Sequence, residues 1–127
     1  MKYLLDTHSL LWYLAGSTQM SFRSRQIIDD TSNILFVSVV SLWEIAIKTN
    51  LGKLNLAKPF AEMFPQQLID NSIDILPVTL DHLNKLTELP FHHRDPFDRL
   101  LAAQAMNDML IMISADTIFD DYGVMRI

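Results

Sequence analysis

Short apolar, β-branched runs alternate with helix-patterned segments from one end of this chain to the other, and that alternation narrows the fold more than any other feature. Lys2–Leu5, Ile34–Ser38, Ile73–Pro77 and Leu110–Ser114 read as strands, with a last weak one near Val124–Arg126. The runs are almost continuously apolar, so both faces of the sheet are expected to be covered. Repetition of strand and helix builds a mostly parallel sheet between helical layers. The 127 residues show no repeat and no shift in composition. A single three-layer α/β/α domain over residues 1–127 is expected, with the first strand central.

The helices announce their ends. Ser9–Ala15 stops at Gly16, Phe22–Asp30 follows Ser21, and Val39–Asn50 stops before Gly52. Pro59 and Pro65 divide the next stretch into two short helical pieces. Thr79 opens a helix to about Thr87. Asp95 as cap, Pro96 in the first position and Asp98 in the first turn open another, to about Asn107.

Several chemistries are excluded by composition. There is no cysteine, hence no thiol nucleophile, thiolate zinc site or redox pair. The three glycines are far apart, so no glycine-rich phosphate loop can form. No segment reads as a span of ~20 apolar residues, and Asp6 interrupts any signal-peptide core. A cytoplasmic location without membrane contact is expected. What remains for chemistry is twelve Asp, three Glu, four His and scattered hydroxyls. The net charge of −5 argues at face value against nucleic acid. Setting four carboxylates aside as cation ligands changes −5 to −1, which weakens that objection.

The acids are placed for such a role. Sites of parallel sheets lie beyond the carboxyl ends of the strands, where helix N-termini also point. Asp6 ends the first strand, Asp116 follows the fourth, Glu44 lies early in the helix after Ile34–Ser38, and Asp95 and Asp98 open the helix at Pro96. Four like charges gathered at one edge repel unless a cation holds them, and clusters of oxygen ligands suit Mg²⁺ or Mn²⁺. Each acid also has a plainer explanation. Asp95 can simply cap a helix, Asp98 can favour the helix dipole, Ser41-x-x-Glu44 is a capping-box pattern, and Asp116 can belong to a turn.

The segments Leu4-Leu5-Asp6-Thr7-His8, Ser41-Leu42-Trp43-Glu44-Ile45-Ala46-Ile47-Lys48, His92-His93-Arg94-Asp95-Pro96-Phe97-Asp98-Arg99-Leu100-Leu101-Ala102-Ala103-Gln104-Ala105 and Ser114-Ala115-Asp116 closely resemble a PIN domain. The similar branch is that of VapC-like toxins of type II toxin–antitoxin systems, and the likeness runs in order along essentially the whole chain. It implies a Mg²⁺- or Mn²⁺-dependent endoribonuclease in which Asp6, Glu44, Asp98 and Asp116 hold metal and water. It also implies accessory parts for Asp95, Thr7 and Ser114. The implied partners are RNA, a second copy of the chain, and a small antitoxin that alone would contact operator DNA. Many relatives carry Asn or Ser where His8 stands.

Other residues admit two explanations each. Arg94 and Arg99 are placed either to contact phosphate or to pair with the acids beside them. Lys48 follows Glu44 by four, the order of a surface ion pair, which is favoured over contact with RNA. His92 and His93 are adjacent and lack zinc-site spacing, so exposed or structural parts compete with phosphate contact. Trp12 and Trp43 lie in apolar helices and are expected in the core. Among rival functions, a receiver-type phospho-signalling domain would need an acidic pair after the first strand and a late lysine; Asp6 stands alone and no lysine follows Lys85. A dehalogenase-type phosphatase would need Asp-x-Asp where Asp6-Thr7-His8 stands. A catalytically inactive PIN-fold binding module is opposed by the intact quartet.

Overall fold

A computed structural model describes all residues, 1–127. The elements are β1 (Lys2–Leu5), α1 (Thr7–Ala15), α2 (Phe22–Asp29), β2 (Ile34–Ser38), α3 (Val39–Asn50), α4 (Phe60–Met63), α5 (Gln66–Asp70), β3 (Ile73–Leu76), α6 (Leu80–Glu88), α7 (Pro96–Asn107), β4 (Ile111–Ile113) and α8 (Ile118–Asp121). The four strands pair in parallel in the order β3-β2-β1-β4, so β1 is interior.

Alternation along the strands divides the core in two. Tyr3, Leu5, Leu35, Val37 and Ile113 face a layer that includes Leu10, Ile28, Ile45 and Leu68. Leu4 and Met112 face the opposite layer, with Leu101, Ala102, Ala105, Phe119 and Tyr122. Leu4 and Leu5 are fully buried on opposite faces of one strand, which is why that run is apolar without interruption. Burying a leucine this completely contributes about 1.5–3 kcal/mol.

The boundaries follow side-chain chemistry. Helix α1 begins at Thr7, two residues earlier than expected, because Asp6 ends β1 and caps α1 at once: its Oδ1 accepts the Ser9 N–H at 2.8 Å. Ser38 does the same between β2 and α3, accepting the Val40 N–H at 3.0 Å. No loop residue beyond the cap separates strand from helix at either place. The expected strand at Val124–Arg126 reduces to one parallel bridge between Met112 and Arg126. Helices α6 and α7 are joined by His82, buried at the seam; its Nδ1 accepts the Thr79 N–H and its Nε2 meets Asp108 Oδ2 at 2.9 Å.

Two placements correct the sequence reading. Trp43 is not in the core: it is 60% exposed and packs edge-on against Phe97 across α3 and α7. The pattern Ser41-x-x-Glu44 is not a capping box, because Ser38 caps α3 and the Ser41 hydroxyl is buried without a partner. No helix is long and apolar enough to cross a membrane.

Candidate functional site

The parallel sheet directs the carboxyl ends of β1, β2 and β4 to one edge, and the acids gather there. Asp6 follows β1 directly and is 5% exposed. Its Oδ1 is used by the α1 cap, and its Oδ2 accepts the Ser114 hydroxyl at 2.5 Å. Ser114, just past β4, also accepts the Asp116 N–H at 3.0 Å, so one hydroxyl ties the two aspartates together. Asp116 in turn caps the next turn through the Ile118 N–H.

Glu44 is 4% exposed in α3, and each of its oxygens has a donor. Thr7 Oγ1 donates to Oε1 at 2.7 Å and Lys48 Nζ to Oε2 at 2.6 Å. The sequence spacing foresaw the Lys48 pair, which joins a lysine 41% exposed at the surface to a carboxylate held inside the protein. Thr7 and Ser114 therefore act alike, each hydroxyl holding a carboxylate of the cluster.

Asp95 is the N-cap of α7, its Oδ1 accepting the N–H groups of Phe97 at 2.9 Å and Asp98 at 3.4 Å. That frees Asp98 from capping. Burial raises the Asp98 carboxyl to about 7, and the negative charges of Asp95, Asp116 and Glu44 push in the same direction. Nearby His93 opposes that rise, its Nε2 lying 3.3 Å from Asp98 Oδ2. Donor atoms of His93, Asp98 and Asp116 all lie within 4.8 Å of one another. Asp6 and Asp116 also line a shallow depression with His8, Trp12 and Ala115.

Of the two parts open to the arginines, phosphate contact or pairing with the neighbouring acids, the pairing is not realised. Arg99 does not pair with the acids: its guanidinium donates to the Pro90 carbonyl and the Tyr122 hydroxyl and lies over the Phe91 ring. Arg94 pairs with no carboxylate. Two contributors escaped the sequence. Arg126 binds Asp120 through Nε and Nη2 and donates from Nη1 to the Ser114 carbonyl, bracing the turn that carries Asp116. His93 reaches the acids because the loop before α7 turns it inward. The only sequence signal for it was the spacing His93-x-Asp95, which lets the Asp95 N–H donate to His93 Nδ1 at 3.4 Å.

The residues fit a divalent cation. Asp98 in particular is a largely buried carboxyl whose ionised form is disfavoured as it stands and would be favoured beside a positive charge. The donor set is carboxylate oxygen with one imidazole nearby, which suits Mg²⁺ or Mn²⁺.

A family model described as the PIN domain matches residues 3–125. Ribonuclease VapC16 of Mycobacterium tuberculosis (strain ATCC 25618 / H37Rv) is 36% identical over 59 residues, 46% of this chain and 40% of that protein. The match thus spans less than half the length of that relative. VapBC2 from Rickettsia felis, bound to a DNA fragment from its promoter, superposes with a TM-score of 0.75 at 13% identity, over 100% of this chain and 98% of that one. VapBC-1 from nontypeable Haemophilus influenzae gives 0.65 at 16% identity, covering 100% and 97%. FitAcB from Neisseria gonorrhoeae gives 0.63 at 17%, covering 99% and 96%. At these identities the structural likeness is one of fold. Since the family match runs almost from end to end and the whole-chain fold agrees with it, the chain belongs to the PIN domain family.

Proposed function

We propose that this protein is a metal-dependent endoribonuclease, the toxin of a type II toxin–antitoxin pair, with Asp6, Glu44, Asp98 and Asp116 as its catalytic and metal-holding residues. The observation that carries the reading is the convergence of these acids at one sheet edge, with the Asp98 carboxyl raised to about 7 by burial and by its anionic neighbours. An ion bound there, Mg²⁺ or Mn²⁺, supplies positive charge for the phosphate and for the leaving oxygen and lowers the pKa of a bound water.

The chain's own residues supply position. Asp98 and Asp116 hold the least-engaged carboxylate oxygens and would be the principal ligands. Asp6 and Glu44 are fixed by Ser114, Thr7 and Lys48, so their remaining lone pairs have one orientation to offer. Water adds to phosphorus in line, the bond to the 3′-oxygen breaks, and that oxygen leaves with a proton. Asp95 serves by capping the helix that presents Asp98. No side-chain nucleophile is needed.

The likeness to VapBC and FitAcB structures supports an antitoxin partner. The groove of about 370 Å³ lined by Leu11, Trp12, Leu14, Leu54, Leu56 and Met63, with His8 at its site end, offers an apolar seat for such a partner. We also propose a homodimer working in the cytoplasm, with operator DNA contacted only through the antitoxin.

The test is incubation of the purified chain with total RNA, with and without Mn²⁺ or Mg²⁺. Internal cleavage that needs the ion supports the reading. RNA left intact at saturating Mn²⁺, or cut equally in chelator, would contradict it, and RNA bound but never cut would favour the inactive binding module.

A further inference from the structure

His93 is the one imidazole paired with an acid at this edge, and no step of the proposed reaction uses it. Its side chain is two-thirds buried, at 33% exposure, and it faces an Asp98 that is 20% exposed. The Asp95 N–H donates to Nδ1, which leaves Nε2 as the nitrogen that carries hydrogen in the neutral ring. Nε2 lies 3.3 Å from Asp98 Oδ2. Asp95 meanwhile accepts the Asp98 N–H through its own carboxylate. Backbone and side chains of His93, Asp95 and Asp98 thus close a small circuit around the start of α7.

We propose that His93 is a positioning residue for Asp98, its Nε2–H holding one carboxylate oxygen so that the other is left for the cation. This rests on the reading of the acidic edge as a cation site. Nε2 with its hydrogen is a donor toward a carboxylate and has no lone pair for a metal, so direct ligation is the less fitting part for it. Carboxylates that bind metals are themselves held by such outer partners, and losing one weakens metal affinity by about 10–100-fold. The circuit also gives the spacing His-x-Asp-Pro-x-Asp a physical reason: the aspartate that caps the helix sets the ring that orients the ligand.

Mn²⁺ titrations by calorimetry on the full chain test this, with melting curves in chelator run alongside. His93→Leu is expected to weaken Mn²⁺ binding by about 10–100-fold with little change in the metal-free melting curve. His93→Gln, which keeps a donor at similar reach, is expected to recover most of that loss. Spin-echo spectra of Mn²⁺ bound to the unaltered chain should lack the nitrogen coupling of a directly bound imidazole, a readout that needs no variant to fold. Unchanged affinity in His93→Leu, no recovery in His93→Gln, or strong nitrogen coupling would each overturn the inference and leave the acidic site standing. An unaltered chain that binds no Mn²⁺ would overturn the site reading and the inference with it.

Discussion

Asp98 sits where a helix cap and a metal ligand look alike in sequence, three residues into a turn that begins Asp-Pro. The cap bonds go to Asp95, whose Oδ1 takes the Phe97 and Asp98 N–H groups. Asp98→Asn is therefore expected to reduce RNA cleavage by at least about 100-fold, beyond the loss of an outer partner alone. Its metal-free melting temperature should hold or rise, because a like-charge repulsion is relieved. Asp95→Asn keeps the cap and should cost at most ~1 kcal/mol with a modest loss of activity. Asp30→Asn, whose side chain only accepts from Ser32 outside the site, should change neither. The same Asp98 carboxyl sets a pH dependence. Its folded pKa, about 7, lies above the usual aspartate value, so the native state holds the extra proton between the two. In chelator, stability is greatest below about pH 4 for this group and is lost as pH rises through about 7. Melting curves from pH 5 to 8 should show that decline, and Asp98→Asn should flatten it. The gathering of the acids was legible in sequence because they stand at strand ends or in the early turns of helices, the places that face one edge of a parallel sheet, and Asp6 stood out further as an acid ending an apolar strand. The inward turn of His93 was not, since it depends on loop backbone. Trp43 was misread because a helix apolar on most of its circumference does not disclose its exposed face.

At the level of elements, strands and caps were legible where one residue does one job. Ser21 and Thr79 cap α2 and α6 as their sequence positions imply. The start of α1 was less legible because Asp6 is at once strand end, cap and cluster member, so the helix begins with no spacer. The C-terminal strand was overestimated because Val124–Met125 is apolar, yet the segment finds a partner for only one bridge. The α6–α7 seam rests on His82, 1% exposed, which completes the α6 capping box and reaches Asp108 at the C-cap of α7. His82→Ala removes a buried ring and leaves polar groups unpaired. We expect a loss of about 2–4 kcal/mol in denaturant unfolding, with Mn²⁺ affinity unchanged. A weakened Mn²⁺ site in that variant would mean that the seam, not only the α7 cap, sets the position of Asp98.

Across the whole molecule, the chain gathers its quartet of acids on one edge and leaves large apolar side chains outside, among them Trp43, Phe22, Leu80 and Met109. Scattered singly, such side chains are ordinary, so the proposed homodimer is tested by mass and not read from them. Light scattering should give about twice the 14.6 kDa chain mass, and a strict monomer at high micromolar concentration would count against the dimer. The negative net charge is no obstacle to an RNA substrate once the clustered carboxylates are occupied, so RNA binding should depend on the divalent ion as strongly as cleavage does. Whether Asp6, Glu44, Asp98 and Asp116 form one cation site is decided by an anomalous difference map from crystals of this chain soaked in Mn²⁺. We expect a peak coordinated by Asp98 and Asp116, with Asp6 and Glu44 bound to the ion directly or through its waters. A peak held by other residues, or none at saturating Mn²⁺, would mean that these four acids do not form a metal site.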